Sequence, residues 1–248
     1  MSKKEKPVYR SSNLIHYFTC PQKYKLSLEY PIEQNDAMRE GLLFEGYVFG
    51  KFKEDNEKEL IGKKHTKTID EIKRKAEYVK PYFDKGEAFK LMKHETDEYI
   101  LQGECDFVGT VNYQGEKIKA IADLKFTGDV HKNWEYLTKE KCIQSALYPY
   151  LHFKITGERL PFIYIVVENK YNTPIVKLIK IETDDKDFEW IQNVIDKVHN
   201  DLFYYANVNI GTCINGYYGR CDFVESCKAG REFIAQPVIV NFGRLNEI

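Results

Sequence analysis

Residues 103–126 read GECDFVGTVNYQGEKIKAIADLKF. Two runs rich in β-forming residues flank Gln114-Gly115, the pattern of a hairpin closed by a two-residue turn. With that turn Tyr113 pairs with Glu116. Counting back along both strands then sets Asp106 directly opposite Asp123, on one face. Lys125 shares the face and lies opposite Glu104. Phe107, Val111, Ile118, Ala120, Ala122, Leu124 and Phe126 alternate onto the other side, which reads as a core face, and Cys105 goes with them.

The hairpin thus buries one side and presents Glu104, Asp106, Asp123 and Lys125 on the other. Carboxylates facing each other across a strand pair repel. A divalent cation between them removes that cost, and Mg²⁺ is commonly held by one or two carboxylates, with water and phosphate completing its shell. The plainer alternative is a solvated strand with scattered charges, and Lys125 has its own in a cross-strand pair with Glu104. Aspartate is disfavoured in mid-strand, so the metal reading is preferred. Glu104 is a second candidate ligand if the register slips.

Outward from the hairpin the chain alternates helices and strands. Ser11 and Ser12 are good helix caps ahead of Leu14, Ile15 and Phe18. Cys20-Pro21 interrupts that helix, and residues 22–28 resume it. Residues 37–60 read as a helix with Met38, Leu42, Glu45 and Phe49 along one side, and residues 69–83 as another. A long amphipathic helix is expected over 134–153, a second hairpin from 162–168 and 175–182, and a last helix over 185–205. The order predicts a single α/β domain over 1–248, a mixed sheet flanked by helices.

Composition narrows the class. Hydrophobic residues make up 43% of the 248, enough for a core, and the net charge of −1 carries no signal for nucleic acid. Residues 51–93 hold thirteen Lys/Arg against nine Asp/Glu, a phosphate-attracting surface or simply a solvated helical face. The basic start has no apolar run after it, and the best apolar run, at 161–167, is too short to span a bilayer. We therefore expect a soluble, cytoplasmic protein. Six cysteines without a secretory signal argue against disulfides, and the clustering of three of them near the C-terminus points to a metal or cluster site. Cys105 and Cys142 read as core residues. His16 and His152 fall in helices, without a partner at metal-ligand spacing.

Several motifs in order resemble the PD-(D/E)XK nuclease superfamily, in its RecB-like and CRISPR-associated exonuclease-like branch. Asp123-Leu124-Lys125 resembles the D-x-K motif, and Gly103 to Asp106 the G-x-x-D motif before it. Gln144 and Tyr148 match Q-x-x-x-Y, and Gly41 to Glu45 resembles the helical first motif, with Glu45 where CRISPR-associated relatives often have His. Residues 14–25, with Cys20-Pro21, and the run Cys213, Cys221, Cys227 resemble the segments that bind an iron–sulfur cluster in such enzymes. The tail departs from the usual C-x2-C pair, with Tyr218 where the extra cysteine would stand.

The resemblance implies a restriction-endonuclease-like core with a small cysteine-bearing cap, 11–30 with 206–230, joining the N- and C-terminal segments. It implies Mg²⁺ or Mn²⁺ held by Glu45, Asp106, Asp123 and the Leu124 carbonyl, with Lys125 positioning the attacking water. Gln144 would hold the site or the DNA end, and Tyr148 would contact the strand. Cys20, Cys213, Cys221 and Cys227 would carry a 4Fe–4S cluster, with zinc or unligated thiols as alternatives. The activity implied is a DNA exonuclease or end-processing nuclease acting on a single strand or duplex end. A helicase, recombinase or second copy would be its partner. The alternatives are an inactive nuclease fold that grips DNA and a structural metal or cluster protein.

Overall fold

The computed structural model describes residues 6–30, 34–52, 60–62, 67–128, 143–170, 172–204, 221, 223 and 226–227. The predicted hairpin is present. Strand β3 (Ile100–Tyr113) and β4 (Glu116–Thr127) pair antiparallel, with Tyr113 against Glu116 and Phe107 against Ala122. Gln114 and Gly115 carry φ values of 53° and 87°. Two positive φ values in succession match the right-handed twist of the strands, and glycine takes the second without steric cost.

Around the hairpin the sheet has six strands. β5 (Phe162–Glu168) runs parallel to β4, and β6 (Val176–Ile181) closes that side antiparallel to β5. All seven residues of β5 are buried, as its continuous apolar run requires of a central strand. Two strands were not expected. β1 (Val8–Tyr9) lies parallel to β3 at Ile100–Leu101. β2 (Phe83–Glu95) pairs with β3 along its other edge, from Phe83 against Val111 to Glu95 against Ile100. Its run of charges hides a strand pattern and blunts an otherwise open sheet edge.

Helices cover both faces. α3 (Asp36–Phe49) and α4 (Ile69–Val79) lay Leu43, Phe44, Val48, Ile72, Ala76 and Val79 on one, against Phe107, Val111, Ala120, Ala122 and Leu124. Lys75 of α4, fully buried, reaches the Asn169 carbonyl and pairs with Glu71 at 2.8 Å, pinning the helix to the end of β5. On the opposite face α1 (Ser11–Thr19), α2 (Pro21–Glu29), α5 (Ile143–Thr156) and α6 (Asp185–Tyr204) pack over Ile121, Phe162, Tyr164 and Val166.

Several expectations are corrected. α3 stops at Phe49, not residue 60, because Gly50 turns left-handed at φ 64°. α4 stops at Val79, and a short 3₁₀ turn through Pro81 leads into β2. Ser11 is the first residue of α1 rather than its cap. The described part of α5 is buried on nearly every side, not amphipathic, and its expected start at 134 lies outside the described residues. The charged face of the hairpin is therefore covered. Cys105 lies on that covered face with Leu101 and Val108, whereas Phe107 and Val111 lie on the other. The strand alternation breaks between Cys105 and Phe107, next to Phe89 of β2, whose φ is 53°.

One glycine records how closely α5 approaches. A Cβ on Gly103 would come within 2.6 Å of the Tyr148 ring. Gly103→Ala should cost about 1–3 kcal/mol as an overpacked core position. Urea unfolding checks this, and an unchanged midpoint would mean that the ring does not lie flat on β3.

Candidate active site

β3 and β4 part company immediately beyond Phe107 and Ala122, one position before Asp106 and Asp123. β4 follows β5 onward, from Ile121 against Phe162 to Thr127 against Glu168. β3 stays with β2, which occupies one edge down to Ile100. On the other edge β4 holds 107–113, and β1 holds only Ile100–Leu101. On that edge residues 102–106 therefore face a fork in the sheet, where no strand among the described residues pairs with them. Asp106 fills it: its Oδ2 accepts a hydrogen bond from the Leu124 N–H at 2.8 Å, so a carboxylate takes the place of a ladder carbonyl.

Asp123 stands on the other prong. Its exposure is 2%, and that of Asp106 is 6%. The Lys125 ammonium lies 2.5 Å from Asp123 Oδ2, and Gln144 of α5 donates to Asp123 Oδ1 at 2.5 Å. Lys125 also donates to Gln144 Oε1 at 3.4 Å and sits 5.8 Å from the Tyr164 ring centre. Gln144 thus holds the acid and the base of the site in one amide. Burial alone would push the Lys125 pKa down. The charges of Asp123, Asp106 and Glu45 outweigh it and hold the pKa above the ordinary lysine value.

Glu45 reaches this region from α3. Phe44, its neighbour, stacks on Phe126 of β4 at 4.3 Å between ring centres, which fixes α3 across the strand that carries Lys125. The field of Glu45 is felt at Lys125. Glu45, Asp106 and Asp123 bring three carboxylates to this region, hard oxygen donors of the kind that hold a divalent cation such as Mg²⁺ or Mn²⁺. Among the described residues no three His, Cys, Asp or Glu side chains converge as a formed metal group. Asp106 is turned to a backbone N–H, and Asp123 to Lys125 and Gln144.

The remaining expected residues fall as follows. Glu104 is exposed; its backbone carbonyl accepts from the Tyr148 hydroxyl at 2.9 Å. Lys125 pairs with Asp123 in place of Glu104. The Leu124 side chain is core. Tyr148 is 5% exposed, packed inside rather than open to a ligand strand. Burial, reinforced by Asp123 and Asp106, pushes its pKa up to about 12, so it remains a proton donor. Cys20 and Cys227 are buried, Cys221 is partly exposed, and Cys213 and Cys142 lie outside the described residues. Cys221, Phe223 and Cys227 pack on Leu26 of α2, so the C-terminal segment does return to the N-terminal helices. Burial, with Asp106 adding to it, pushes the Cys105 thiol up to about 12 and makes it unreactive.

Two polar residues were missed. Ser11, read as a cap, donates to the Tyr148 hydroxyl at 3.3 Å. Glu168 is 3% exposed at the end of β5, and its Oε2 has no hydrogen-bond partner among the described residues. A charge closing the all-apolar run of β5 was the signal for it.

The fold and site define a class: a mixed α/β domain with a forked sheet and, at the fork, buried aspartates beside a partly exposed lysine. No family model matches the sequence, and no curated protein does. Solved structures do match. A "Putative exonuclease" from Eubacterium rectale aligns with TM-score 0.54 at 20% identity, over 90% of this chain and 86% of that one. The protein SSO0001 aligns with TM-score 0.48 at 14% identity, over 92% and 89%. The chain shares its fold with the first. No helix among the described residues is long and apolar enough to cross a membrane.

The Lys125 pairing has a pH signature. A base whose folded pKa is raised contributes stability fully below its unfolded value, near 10.4, and loses it as pH climbs through the folded value. Lys125→Met should therefore destabilise the protein by about 1–3 kcal/mol. That deficit should be equal at pH 7 and 9 and shrink only above about 10. Denaturant unfolding across this range checks it, and a deficit already gone by pH 9 would contradict the pairing.

Proposed function

We propose that this chain is a divalent-metal-dependent nuclease that hydrolyses phosphodiester bonds in DNA, at strand ends or in their processing. One observation carries the reading: two buried aspartates at a fork in the sheet, beside a lysine and within the field of Glu45. Buried carboxylates are costly to keep, and gathering three of them around one lysine suits a cation site. The shared fold with the structure named an exonuclease is in accord with it.

In this reading Glu45, Asp106, Asp123 and the Leu124 carbonyl hold Mg²⁺ or Mn²⁺. The bound ion would polarise the scissile phosphate and acidify a water. Lys125, held protonated, is no general base. With a cation neutralising Asp123, the Lys125 ammonium would be free to orient the attacking water and to offset charge developing on the phosphate oxygens. Gln144, bonded to both Asp123 and Lys125, would keep Asp123 oriented as the lysine withdraws. Cationic residues along α4, including Lys73 and Arg74, supply sequence-independent attraction for the phosphate backbone. Cys20, Cys221 and Cys227, with Cys213, form the ligand set proposed for a 4Fe–4S cluster, with zinc the competing metal. A cluster there would tie the returning C-terminal segment to α2.

End-labelled single- and double-stranded DNA with Mn²⁺ should be shortened by the wild-type protein and left intact in EDTA. Asp123→Ala should abolish cleavage while circular dichroism reports an unchanged fold. Equal cleavage by wild type and variant, or none by wild type with any divalent ion, would refute the assignment.

A further inference from the structure

Helix α5 spans the fork. Gln144 ties it to β4 through Asp123, and Tyr148, one turn on, ties it to β3 through the Glu104 carbonyl. These two contacts, with the Asp106 hydrogen bond to the Leu124 N–H, tie the two prongs together beside Asp106 and Asp123. The Tyr148 contact depends on a third residue. A carbonyl only accepts, so the single phenolic proton of Tyr148 is committed to Glu104. The groups lying against the Tyr148 oxygen must then be donors: Ser11 Oγ, at 3.3 Å and 7% exposed, and the Gln144 side chain. Ser11 stands two residues after Tyr9, in the segment where β1 takes over the β3 edge that β4 has left.

We infer that Ser11 is a positioning residue for the carboxylate pair, acting through Tyr148 and the Glu104 carbonyl. It touches neither aspartate. By donating to the Tyr148 oxygen it holds the phenolic proton on Glu104, two residues from Asp106, and so keeps β3 seated under α5. The N-terminal segment is in this way part of the site, and its displacement would loosen the grip on a cation. The inference rests on the metal-dependent reading above.

The test is Mn²⁺ binding, measured calorimetrically on the full chain, with thermal unfolding alongside. Ser11→Ala should weaken Mn²⁺ binding roughly five-fold, the effect of about one lost neutral hydrogen bond. Ser11→Thr, which keeps the hydroxyl, should restore it. Tyr148→Phe should weaken binding at least as much, and the double variant Ser11→Ala/Tyr148→Phe no further, because the serine acts through the phenol. A purely structural role would lower the unfolding temperature and leave Mn²⁺ affinity unmoved; that result overturns the inference, as does additivity of the two changes. Absence of Mn²⁺ binding in the wild type would overturn it together with the metal-dependent reading. Wild-type binding matched by Ser11→Ala overturns this inference alone.

Discussion

The hydrogen bond from the Leu124 N–H to the Asp106 carboxylate marks the place where the sheet divides. Up to Phe107 and Ala122 the two central strands satisfy each other's backbone, and beyond that point they cannot. A forked sheet leaves donors and acceptors exposed in a buried place, and each must find a partner. Asp106 takes one donor, and Tyr148 donates to the Glu104 carbonyl. The polar groups that make the site chemically interesting are the same ones that make the fork sustainable.

The cost falls on Asp123 and Lys125. Asp123 is buried while Lys125 keeps about a third of its side chain exposed, and the pair gains less than its short distance implies because both surrender hydration. Gln144 offsets part of the loss by bonding both. Carboxylates gathered at one spot repel one another, so stability and function pull in opposite directions there. The surrounding core, with β5 buried throughout and two helical layers, holds the spot in place.

Much of this was legible in the sequence, for definite reasons. A two-residue turn leaves no freedom of register, so Gln114-Gly115 sufficed to pair Tyr113 with Glu116 and to bring Asp106 level with Asp123. Gln144 and Lys125 followed from motif spacing. The face of Cys105 did not follow, because alternation assumes a regular strand and Phe89 breaks it. β2 was invisible because only Phe89 and Met92 of its side chains are buried, so no two-residue period survives. The end of α3 was missed because the Lys- and Glu-rich residues 51–59 are ordinary helix formers, so that Gly50 alone marks the stop. Ser11 was misread because a helix cap and a buried donor look alike until the partner, more than a hundred residues away, is known.

The account stands or falls on what occupies the fork. Crystals soaked in MnCl₂ and measured at the manganese absorption edge address it directly. We predict one strong anomalous peak with oxygens of Asp106 and Asp123 about 2.0–2.3 Å away, Glu45 facing it, and the Lys125 ammonium withdrawn from Asp123. A fork without manganese, with Lys125 still seated on Asp123 at saturating metal, would contradict it.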